Sequence, residues 1–131
     1  EMREVARAMR HIPPSVWSLD LPFLPASTNH RTGRRKGKDG LYVTSEAASK
    51  ESRIRGEMLA LGFKADLKKT YELEIVFHMP TWSHDIEGPL KATLDSVMGS
   101  RNDHRVTKLT VRKVVQKGQY RTQIRIVEQV P

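Results

Sequence analysis

The 131-residue chain contains no cysteine. This excludes disulfides, thiolate zinc sites and cysteine nucleophiles, and it fits a reducing cytosol. No apolar run approaches the roughly 20 residues that a bilayer-spanning helix needs, and the first residues lack the apolar core of a signal peptide. The expected location is therefore cytoplasmic or nucleoid-associated, with no membrane partner. Negative charge is scarce: 15 Asp and Glu stand against 23 Lys and Arg, for a formal net charge of +8. Such an excess favours a polyanionic partner, nucleic acid first and an acidic membrane surface second. There is no internal repeat, and the one biased segment is a basic loop. The length suits one domain with or without a tail.

Residues 1–12 read as a short amphipathic helix, with Met2, Val5, Ala6 and Met9 on one face, ended by Pro13-Pro14. Residues 1–15 are thus expected to be a helical appendage to a domain over 16–131. Residues 16–24 alternate well enough for an edge strand. Residues 25–39 read as a polar, basic loop, and Leu41–Thr44 as a short strand. Thr44 or Ser45 can cap a helix over about 45–61, in which Ala47, Glu51, Ile54, Met58 and Leu61 share a face and Gly62 closes the end. Residues 70–79 alternate cleanly: Tyr71, Leu73, Ile75, Phe77 and Met79 face one side, and Glu72, Glu74, Val76 and His78 the other. A second helix is expected from 88 or 89 to 98, with Pro89 in its first turn and Gly99 at its stop. Strands over 106–115 and 121–128, joined by Lys117-Gly118-Gln119, read as a hairpin. Leu109, Val111, Val115, Ile124 and Ile126 should face its core side; Lys108, Arg112, Arg121, Gln123 and Arg125 should face out. The expected class is α+β, a mixed β-sheet with two main helices packed on it.

The junction between the 70–79 strand and the second helix gathers the chemistry. Asp85 and Glu87 are two apart; in extended backbone they point to one side, roughly 6–7 Å apart at Cα. Carboxylates that close repel unless a cation neutralises them, and their hard oxygens suit magnesium or manganese. Lys91 and Asp95 share a helix face, and Lys91 can turn its ammonium toward the acidic pair, where it would stabilise charge on a reacting phosphate. Asp103 follows the helix and could complete a metal site. The same residues have plainer uses: Asp85 as a helix cap, Lys91 and Asp95 as a surface pair. His78, His84 and His104 flank the carboxylates but lack the spacing of a zinc motif. Trp17 reads as core, and Trp82, just before the acidic pair, as a residue for a subunit contact or for stacking on a base.

The order of these pieces resembles the RusA family of Holliday junction resolvases, over about Leu21 to Val127. Leu-Pro-Phe-Leu-Pro-Ala-Ser-Thr-Asn-His-Arg at 21–31 is similar to the family's opening strand and loop, and Phe77-His78-Met79-Pro80 to the strand end before its active site. Asp85-Ile86-Glu87 corresponds to its Asp-x-Asp, Lys91 to its lysine, Asp95 to its helical aspartate, and Asn102-Asp103 to its second acidic pair. The resemblance implies a RusA-like fold. It gives Asp85, Glu87 and Asp103 metal-ligand roles and Lys91 a catalytic one. It also implies Mg2+ or Mn2+ as cofactor, a homodimer, four-way junction DNA as substrate, and a bacterial or phage origin. Glu87 in place of Asp, Gly88-Pro89 in place of Asn-Leu and Asn102 in place of Asp depart from the pattern.

The resulting expectation is a metal-dependent, structure-selective endonuclease that resolves four-way junctions by paired symmetric nicks. Its DNA-binding residues would be Asn29, Arg31, Arg34, Arg35, Lys36 and Lys38 on the basic loop, with Lys108 and Arg112 on the outer face. The competing class is a non-catalytic or weakly catalytic basic DNA- or RNA-binding protein with the same fold. The acidic cluster separates the two, because a pure binder has no use for charge that repels phosphate.

Overall fold

A computed structural model describes residues 16–25, 32–34, 41–43, 45–99 and 103–129, with 32–34, 41–43 and 103 as backbone. The expected helix over 1–12 and most of the basic loop lie outside these residues. In order, the elements are β1 (Val16–Leu21), β2 (Thr32–Arg34), β3 (Leu41–Val43), α1 (Ser45–Leu61), β4 (Thr70–Met79), α2 (Glu87–Met98), a 3-10 turn (Asp103–Arg105), β5 (Val106–Val115) and β6 (Arg121–Gln129). β1, β6, β4 and β5 form one mixed sheet in that order, while β2 and β3 pair only with each other. The class is α+β, as the alternation and helix signals imply.

β4 is the central strand because its inner face is wholly apolar. Tyr71, Leu73, Ile75, Phe77 and Met79 are each at most 1% exposed. Burying such side chains contributes on the order of 1.5–3 kcal/mol each. They meet Leu19 and Leu21 of β1, Ile124 and Ile126 of β6, Ile54 and Met58 of α1, and Val97 and Met98 of α2 in one core cluster. The two threonines buried among the described residues are satisfied: the Thr93 hydroxyl donates to the carbonyl of Pro89 (2.7 Å) and that of Thr122 to the carbonyl of Phe23 (2.8 Å). At one end Trp17, Phe63 and Tyr71 stack edge to face, with ring centroids 4.9 and 5.6 Å apart. Phe63 is delivered there by the end of α1. Its amide donates to the carbonyl of Met58 and that of Gly62 to the carbonyl of Leu59, with Gly62 at φ +73°, the paired bonds that close a helix on a left-handed glycine.

Two expectations about strands need correction. β5 and β6 are not a hairpin: β5 pairs parallel to β4 and β6 pairs antiparallel to it, one on each side. The strongly apolar β4 takes the position between them. The link over 116–120 therefore crosses the end of β4, where the amide of Gln116 donates to the carbonyl of Met79. Second, β3 does not join the main sheet but pairs with β2, which falls in a stretch expected to be loop. β5 is an edge strand, and Leu109, though on its inner side, is 40% exposed.

Candidate active site

β4 ends at Met79, and Pro80, which cannot donate to a ladder, releases the chain. The following loop is held from several directions. The Thr81 hydroxyl bonds Ser83 Oγ (2.8 Å) and His84 Nδ1 (2.7 Å). The Lys113 ammonium donates to the carbonyls of Trp82 (2.7 Å) and His84, and it lies 5.8 Å from the centre of the Trp82 ring. The His84 and Tyr120 rings meet edge to face at 5.8 Å.

This loop delivers Asp85 and Glu87 to the start of α2. Ile86 turns inward and packs against the core, leaving the flanking carboxylates exposed. Asp85 Oδ1 accepts a bond from the Glu87 amide at 3.0 Å, a side-chain turn that satisfies one of the orphan donors of the helix start. The N-cap position itself is taken by Ile86, which makes no side-chain cap bond, so Asp85 is not the helix cap that its place suggested but serves the helix start from one residue earlier; its second carboxylate oxygen is left for solvent or a cation. The helix dipole favours negative charge at this end. Lys91 lies one turn beyond Glu87, exposed, and forms no ion pair with a described residue; the ion pairs at this spacing are Lys50–Glu46 and Arg55–Glu51 on α1. Asp95 is half-buried farther along, and its carbonyl accepts the Gly99 amide that stops the helix.

The fold does not bring the backbone of Asp103 to this pair. Because β5 runs parallel to β4, Val106 lies level with Tyr71, whereas Lys113, which holds the loop, lies level with Phe77. The Arg105 guanidinium accordingly bonds the carbonyl of Lys69, just before β4 begins. The 12 residues of α2 cover the interval, about 18 Å at 1.5 Å per residue. Asp85 and Glu87 stand at one end of α2, and the backbone of Asp103 follows the other. Among the described residues no three His, Asp or Glu side chains group to hold a metal. The hard oxygens of Asp85 and Glu87 still fit magnesium or manganese, which is commonly held by one or two carboxylates together with substrate phosphates.

The three histidines that flank the carboxylates in sequence are dispersed. His78 lies on the outer face of β4, with Nε2 bonded to Gln123 Oε1 at 2.8 Å and Nδ1 buried without a partner. His84 is in the loop, and His104 is exposed in the 3-10 turn.

Of the expected DNA-binding residues, Asn29, Arg31, Arg35, Lys36 and Lys38 lie outside the described residues, and Arg34 is described only as backbone at the end of β2. Lys108 and Arg112 are exposed on the outer face of β5. That face is less basic than the β5 and β6 sequences suggest. Arg121 pairs with Asp20, Arg125 lies 3.6 Å from Glu74, and Glu72 adds a further acid on β4. The bond to the Arg121 guanidinium holds the Asp20 carboxyl below its ordinary value.

Lys113 is the residue that the strand pattern left out. Leu109, Val111 and Val115 announce an inward period of two, and a lysine at the remaining inward position was the available signal. No helix among the described residues is long and apolar enough to cross a membrane. No protein-family model matches the chain, and no curated protein matches it.

Proposed function

We propose that this protein is a magnesium- or manganese-dependent endonuclease of branched DNA that cuts four-way junctions as a homodimer. The observation that carries the reading is an exposed carboxylate pair, Asp85 and Glu87, with Lys91 one turn away, at the mouth of α2 in a chain of net charge +8. A divalent cation bound there would activate water for attack on phosphorus. The chain's own part is to hold that cation through Asp85 and Glu87, to neutralise developing phosphate charge through Lys91, and to grip the backbone with its basic loop. Paired nicks need two such sites, and a two-fold dimer supplies them in the symmetry of the junction.

A second reading, a non-catalytic or weakly catalytic basic DNA- or RNA-binding protein of the same fold, is favoured by two observations: Asp103 follows the far end of α2, and one oxygen of Asp85 serves the helix start. The two readings separate on labelled four-way junctions and linear duplex of the same sequence, each with Mg2+, Mn2+ or excess chelator. The nuclease reading expects paired nicks in the junction alone and only with metal. Tight junction binding without nicking in either metal establishes the second.

A further inference from the structure

Lys113 is the one charged residue at the inward positions of β5 (Val106, Leu109, Val111, Lys113 and Val115), paired in register with the fully buried Phe77. An apolar residue would suit such a position better on packing grounds, since a lysine there must desolvate its stem and find acceptors for three donors. The structure shows what the ammonium does instead. It reaches the loop after β4 and donates to the carbonyls of Trp82 and His84, beneath the exposed Trp82 ring. Charge-assisted bonds of this kind are roughly twice as strong as neutral ones. The second of these carbonyls belongs to the residue immediately before Asp85.

We infer that Lys113 is a positioning residue: it latches the 81–86 loop to β5 and so fixes the direction in which Asp85 and Glu87 present their carboxylates. Core packing of Ile86 and Leu90 seats α2 itself, whereas residues Trp82 to Asp85 are not part of that core: the His84 side chain meets Tyr120 and Thr81, and the main chain is held by its two carbonyls on the lysine. The role of the pair as a cation site rests on the nuclease reading; the latch does not.

The test uses the full chain with Lys113→Met and Lys113→Arg, read by amide hydrogen exchange over 82–87 and by Mn2+ binding in the absence of DNA. With Lys113→Met, amides 82–87 should exchange about tenfold faster while those of β4 and β6 stay protected. Mn2+ should bind about tenfold more weakly, the usual effect of removing a group that orients a metal ligand. Lys113→Arg, which can donate to both carbonyls, should restore both readings to within about threefold. Unchanged exchange in Lys113→Met overturns the latch. Faster exchange with unchanged Mn2+ affinity overturns the positioning role. A wild-type chain that binds no Mn2+ either alone or with junction DNA removes the cation site, and with it the nuclease reading, while exchange still decides the latch. If Lys113→Met does not fold, Lys113→Gln replaces it, and failure of both makes the residue a structural one and overturns the proposal.

Discussion

Asp85 has two uses that compete for the same side chain. One oxygen closes the start of α2 through the Glu87 amide, and the other is left for a cation, so its replacement affects both the helix and the chemistry. Asp20 is simpler. Its bond to Arg121 lowers its pKa, so the stability it adds is present above the unfolded carboxylate value, near pH 4, and is lost as pH falls through the lower folded value. The pair is about half exposed, so Asp20→Asn should cost less than about 1 kcal/mol at pH 7. Urea melts should show that cost shrinking as pH falls below about 4 and vanishing in stronger acid; a cost that persists there would mean a packing defect. Core residues carry far more. Phe77→Ala should cost about 3–5 kcal/mol in the same melts, because the middle of β4 has no slack with which to fill the cavity.

At the scale of elements, the signals that depend on local pattern were legible. β4 and β5 match their expected ranges, because a clean period of two bounded by Pro80 or by the 116–119 turn leaves little choice. α1 was legible through its glycine stop; Asp85 and Glu87 do lie exposed on either side of the inward Ile86, but Ile86 has helical backbone (φ −86°, ψ −24°) and not the extended backbone from which their common side is inferred. Partner choice was not legible. Whether β5 zips onto β6 or docks beside β4 depends on which strand holds the most apolar inner face, a property of the whole sheet, and the location of Asp103 follows from that choice. The amide of Gln119 donates to the carbonyl of Gln116 across the turn that makes the crossing possible. Gly118 sits in that turn at φ +76° with open space around its missing Cβ, so Gly118→Ala should cost about 1–2 kcal/mol from backbone conformation alone, read as a shift in unfolding midpoint. Asp103→Asn should leave Mn2+ affinity within about threefold of wild type, since the cation needs only one or two carboxylates and the substrate. A larger drop would mean that the far end of α2 reaches the site from a second subunit.

At the scale of the whole molecule, the excess of 8 positive charges does not lie as one basic sheet face, because Asp20, Glu72 and Glu74 offset Arg121 and Arg125 there. The basic segment around Arg34, Arg35 and Lys36 should therefore carry much of the grip on DNA. Replacing all three with Ala should reduce the slope of log affinity against log salt by about 2–3, close to one for each phosphate that is no longer neutralised. An unchanged slope in a salt titration would make that segment a solvated loop. Sedimentation should find a dimer at micromolar concentrations, with or without junction. The central claim, that Asp85 and Glu87 hold the cation that cuts branched DNA, is tested most directly by Asp85→Asn, which keeps the turn-forming oxygen and removes the charge. Measured side by side in Mg2+ on one labelled four-way junction, the variant should bind with wild-type affinity and nick at least about a hundredfold more slowly. Nicking at the wild-type rate by Asp85→Asn would contradict the account.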